Sequence, residues 1–164
     1  MMMCGIQHVR RPLRSAFTFL EVMIVVVIIG ILAAIVIPQF GSATQDARAS
    51  TLKANLGGVR ASIAGYRANA VLAGSPPYPT LSELTTPNTV VQGEFPPNPY
   101  NGLMSVQAVS LTQANARSVV NPQSYGWNYF VDNSSNPPVA IFYANAVDPA
   151  GLNASGNQIR ANEH

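Results

Sequence analysis

Residues Phe17 to Ile37 read FTFLEVMIVVVIIGILAAIVI, twenty-one positions in which Glu21 is the one ionisable side chain. As a helix rising about 1.5 Å per residue, the run reaches roughly 30 Å, the thickness of a bilayer's hydrocarbon core. A secretory signal peptide would have a shorter apolar stretch and a small-residue cleavage site beyond it. Here the far side is Pro38-Gln39-Phe40 instead. Arg10, Arg11 and Arg14 crowd the near side, whereas Asp46, Arg48 and Lys53 nearly balance on the other. The positive-inside rule therefore predicts a cytoplasmic N-terminus and export of everything after the run.

A carboxylate inside an apolar segment costs several kcal/mol unless it has a partner or a function, so Glu21 needs a reason. Its surroundings supply one. The string Ala16-Phe17-Thr18-Phe19-Leu20-Glu21 follows a short basic leader and enters the apolar run without a break, and Pro38 closes that run. This resembles the prepilin cleavage and methylation motif of type IV pilins and pseudopilins. The resemblance implies that a prepilin peptidase cuts between Ala16 and Phe17 and N-methylates Phe17. It also implies that Glu21 takes the place of the family's glutamate. The usual residue before the cut is Gly, and Ala16 departs from that pattern. In physical terms, a free amino group on Phe17 beside Glu21 of a neighbouring subunit would neutralise both charges in an apolar bundle and set the stagger between subunits.

Removing the leader changes the composition. Arg10, Arg11, Arg14 and the lone Cys4 precede Phe17, which leaves six Lys/Arg against seven Asp/Glu and no thiol. No basic stripe marks a dedicated nucleic-acid surface, and no disulfide can staple the exported part. His8 lies in the leader and His164 is the last residue, so no imidazole stands between them for a triad or a zinc site. The chain is not expected to be an enzyme.

Beyond Pro38 the pattern becomes amphipathic. Leu52, Leu56, Val59, Ile63, Tyr66 and Ala70 recur at steps of four and three, with Arg48, Lys53, Arg60 and Arg67 mostly off that stripe. Pro38 and Gly41 are expected to kink or melt the helix, and Ser42-Ala43-Thr44-Gln45 fits a capping box that would restart it. Four segments follow from these signals: a cleaved leader over 1–16, a transmembrane and filament-core helix over 17–40, an amphipathic helix over 41–73 and a small head over 74–164.

In the head, Thr80 and Glu83 fit a capping box for a short helix, and strands are predicted over Met104–Leu111, Tyr125–Val131 and Val139–Ala144. The expected fold is α+β and pilin-like, with the long N-terminal helix packed on a small antiparallel sheet. The order Tyr78-Pro79-Thr80, then Pro99-Tyr100-Asn101-Gly102, then a Trp/Tyr strand, is loosely similar to the major pseudopilin of type II secretion. That family's loop commonly reads Asp-Pro-Trp-Gly; here Asn98 replaces the acid, Tyr100 the Trp, and Asn101 is inserted. Many of its members bind calcium near the C-terminus, which makes Asp148 and Glu163, with Asn153 and Asn157, candidate oxygen donors without regular ligand spacing. Asp132-Asn133-Ser134-Ser135-Asn136 lacks the glycine and acid of an EF-hand and reads as a hairpin turn.

The resemblance implies a structural subunit of a type II secretion pseudopilus. Its partners would be copies of itself and other pseudopilins, prepilin peptidase, an inner-membrane platform protein and an assembly ATPase, with membrane lipid before assembly. No cofactor is required, calcium being the one candidate. The alternatives are a type IV pilin of a surface fibre for adhesion, motility or DNA uptake, and a signal-anchored periplasmic binding domain that does not polymerise.

Overall fold

A computed structural model describes residues 17–152 and 158–164. Helix α1 spans Phe19–Leu72, and two compact units divide between Phe40 and Gly41. The helix continues through Pro38 and Gly41, although Pro38 has no N–H to give to the ladder, so the chain does not melt there. The first unit contributes the apolar half of α1. The second contains the rest of α1 and the head.

Within the second unit the stripe read from the sequence is the seam of the core. Leu52, Leu56, Val59, Ile63 and Ala70 are buried, Ala49 extends the line towards the N-terminus, and Tyr66 packs against the same cluster half-buried. Opposite them stand Trp127, Tyr129 and Phe142 from the sheet. The Trp127 and Phe142 rings stack at 5.3 Å, and Phe95 meets both edge-on. Trp127 Nε1 donates to Pro96 O at 2.9 Å and the Tyr129 hydroxyl to Pro79 O at 2.8 Å, so each large ring buries its polar atom with a partner.

Helix α2, Leu81–Thr85, has the capping box expected from Thr80 and Glu83. Glu83 also accepts from the Tyr66 hydroxyl at 3.0 Å, which ties this short helix to α1. Strand β1, Val106–Ala108, is shorter than the predicted Met104–Leu111, because Ser110 and Gln113 form a capping box of their own and start α3, Leu111–Asn115. Strands β2, Trp127–Asp132, and β3, Val139–Ala144, fall close to their expected places. The sheet order is β1-β2-β3. The β2–β3 pair is antiparallel, but β1 pairs parallel with β2, so the sheet is mixed where an antiparallel one was expected. Parallel neighbours need a connection of a dozen or more residues, and the segment from Val109 to Gly126, with α3 inside it, provides one. A two-stranded ribbon of β4, Pro149–Leu152, and β5, Gln158–Arg160, follows, and a final 3-10 turn over Ala161–Glu163 ends the chain.

Buried amides organise the far side of the sheet. The Asn145 side chain clamps the Val120 peptide, accepting from its N–H at 2.9 Å and donating to its carbonyl at 2.6 Å. Asn128 donates to Asn145 Oδ1 at 3.1 Å and accepts from Gln107 Nε2 at 2.7 Å. Asn98, fully buried, donates to Gly126 O at 2.7 Å and accepts from Tyr100 N at 3.0 Å. The Pro99-Tyr100-Asn101-Gly102 segment is thus a turn closed on a buried amide, with Gly102 at φ +72°.

Gly126 leaves no room for a side chain, since a Cβ there would stand 2.0 Å from Leu103 O. Gly126→Ala is expected to destabilise the head by about 1–3 kcal/mol, read from denaturant unfolding of the full chain in detergent by Trp127 fluorescence. Unchanged unfolding would contradict the packing described. The Thr80 N–H and hydroxyl, with Tyr66, hold the Glu83 carboxyl below its usual pKa. A depressed folded pKa contributes stability that is present above the ordinary carboxylate range and lost as pH falls through the folded value. Glu83→Gln should therefore flatten the acid limb of a Tm-against-pH curve while costing stability at neutral pH; an unaltered acid limb would show that Glu83 does not couple α2 to α1.

Candidate assembly segment

The start of α1 is built locally. Thr18 sits just before the helix, and the Glu21 N–H donates to both Thr18 O at 3.1 Å and Thr18 Oγ1 at 3.2 Å. Thr18 thus caps the first turn, which satisfies a donor that hydrocarbon could not. Glu21 lies in that first turn, where a negative charge is favoured by the helix dipole. Phe17 precedes the helix and is 80% exposed. The main chain between Phe17 and Glu21 is short, so the α-amino group that cleavage would create and the Glu21 carboxylate belong to one end of the segment.

From Phe19 to Ile37 the helix has a mean hydropathy of 3.2, and none of its residues is buried among the described ones. Its large apolar side chains are exposed on every side, Phe19 at 79% and Ile37 at 69% among them. A helix apolar all round belongs inside lipid or inside a bundle of other helices. This one is long and apolar enough to cross a membrane.

Residues 11–37 match the prokaryotic N-terminal methylation motif. The chain is also 40% identical over 58 residues to type II secretion system core protein G of Pseudomonas aeruginosa, an alignment covering 35% of this chain and 41% of that protein. The N-terminal region is that of a type IV pilin or pseudopilin. The likeness is confined to that region, and this pilin-like chain spans under half the length of the curated relative it matches. No solved structure gives a significant match.

The remaining residues singled out from the sequence are distributed as follows. Ala16 lies outside the described residues. Pro38 and Gly41 lie within α1, next to the division between the two units. Asp148 is exposed, and its carbonyl accepts from Ala161 N at 2.9 Å, which joins the β4–β5 ribbon to the final turn. The Glu163 carboxylate accepts from Arg160 N at 2.9 Å. Asn153 and Asn157 lie outside the described residues, and among those described no three His, Cys, Asp or Glu side chains converge to hold a metal. These carboxylates alone do not make up a calcium cage. Asp132 Oδ1 accepts from Ser134 and Ser135, forming a self-contained turn that also holds the Asp132 carboxyl below its usual pKa. Neighbouring Asn133 bonds both the N–H and the carbonyl of Tyr78, so this turn anchors the start of the head.

The buried amides Gln107, Asn128 and Asn145 carry no flag in the sequence analysis, where Asn98 stands only as a departure from a loop motif. Their signal was present in the strand segments, where Asn128 stands between Trp127 and Tyr129 and Asn145 follows Tyr143-Ala144.

Proposed function

We propose that this chain is a structural subunit of a type II secretion pseudopilus. The observation that carries the reading is the apolar sleeve of Phe19–Ile37, exposed among the described residues, with Glu21 one turn from Phe17. The similarity to type II secretion system core protein G favours the secretion filament.

In this account prepilin peptidase cuts between Ala16 and Phe17 on the cytoplasmic face and N-methylates Phe17. The processed subunit waits in the inner membrane as a single-pass protein with its head in the periplasm. An assembly ATPase, acting through the platform protein, moves it into the filament, where residues 17–40 exchange lipid for the helices of neighbouring copies and other pseudopilins. The Phe17 amine of one subunit meets the Glu21 carboxylate of the next. Desolvation offsets much of the Coulomb gain of such a pair, but an unpaired charge costs about 3–5 kcal/mol, so the pair selects register more than it adds stability. The role is mechanical: the head performs no catalysis and needs no cofactor.

Glu21→Ala should leave the amount of membrane-inserted protein unchanged and reduce filament yield on overproduction by about tenfold or more, counted by electron microscopy of sheared and periplasmic fractions. Secreted proteins should accumulate in the periplasm of the same strain. Normal filaments from Glu21→Ala would count against the pairing. Loss of surface fibres with secretion intact, in a strain lacking the protein, would assign it to a pilus.

A further inference from the structure

We propose that the cavity between α1 and β3 in the second unit is a binding site for a carboxylate carried on an apolar body. The cavity, of about 370 Å³, is lined by Arg60 and Arg67 from α1, by Arg117 from the loop after α3, and by Ile63, Tyr78 and Phe142 among its apolar walls. Three arginines therefore border one space, and no acidic side chain is among the described residues that line it.

Each arginine is held in place, and one is left with an unmet donor. Arg60 Nη2 donates to Phe142 O at 3.0 Å and to the main-chain oxygen of His164. The Arg67 guanidinium lies 5.0 Å from the centroid of the Tyr78 ring, and that of Arg117 lies 5.3 Å from that of Tyr143. Arg117 Nη1 is buried with no hydrogen-bond partner. A buried charged donor without an acceptor costs more than a neutral one, so this guanidinium, whose residue lines the cavity, would gain from an acceptor brought to it there. Partial burial, and then the positive charge of Arg117, push the Arg60 pKa down, as expected of cations that share one space.

A guanidinium fork matches the two oxygens of a carboxylate. The apolar wall formed by Ile63, Phe142 and the Tyr78 ring would cover what that carboxylate is attached to, which favours an organic acid over a bare inorganic anion. The carboxylate could belong to an acidic side chain of a second copy of this chain or to a free organic acid.

The test uses the full chain in detergent micelles, labelled for NMR, titrated with benzoate against sodium chloride at matched ionic strength. Saturable shifts at the side-chain N–H groups of Arg60, Arg67 and Arg117 and at the Ile63 methyls are expected, with affinity about tenfold weaker in Arg117→Gln. Arg67→Gln, on the exposed helix face, should weaken binding without touching the loop, and the near-UV circular dichroism of Trp127 reports whether either variant keeps its fold. Shifts matched by chloride, or insensitive to both substitutions, would overturn the proposal. Sedimentation of the same samples assigns the source. Self-association that benzoate and Arg117→Gln both disrupt places the carboxylate on a second copy; benzoate binding that leaves association unchanged assigns the site to a free acid.

Discussion

The apolar surface of Phe19–Ile37 is left exposed by the described residues of its own unit. Fully burying one Val, Leu, Ile or Phe side chain is worth about 1.5–3 kcal/mol, and this segment exposes more than a dozen of them, so the deficit runs to tens of kcal/mol. Lipid or other apolar helices must cover it. Into that surface the sequence sets a single carboxylate, one turn from Phe17, which the proposed cleavage would make the N-terminus. An apolar sleeve confers attraction without direction, whereas one charge near one end confers a preferred stagger. In the proposed filament these two properties together define the assembly.

The head answers a different requirement. Its core forms where one stripe of α1, from Ala49 to Ile63, meets the aromatic face of β2 and β3. The opposite face of β2 is buried at Asn128, and there Asn128, Asn145 and Gln107 hold the loop between α3 and β2 through main-chain oxygens and an N–H group. Such a network specifies one loop conformation because every amide that loses a partner pays a desolvation cost. In a head with no disulfide, this is how the long parallel crossover is kept in place.

Much of this architecture was legible in the residues. The α1 stripe, the Thr80–Glu83 capping box and β3 follow from periodicity and capping chemistry, which are local and short in range. The misread parts are those decided by tertiary pairing. Met104–Leu111 has strand character, but Ser110 and Gln113 cap a helix inside it, and nothing local says that β1 will lie parallel to β2. The β4–β5 ribbon, from Pro149 and Gln158 onwards, has too little alternation to announce itself. Asn98 looked like a departure from a family loop and is instead its buried anchor. Arg60 and Arg67, placed off the apolar stripe, border it two turns apart, and only the fold brings Arg117 to join them.

The account depends most on the claim that Phe17 becomes a methylated terminus beside Glu21. Intact-mass analysis of the protein purified from membranes of its native cell, with N-terminal fragmentation, tests that claim directly. The account predicts a chain that begins at N-methylated Phe17. A chain that retains residues 1–16 would contradict it and leave a membrane-anchored monomer as the working description.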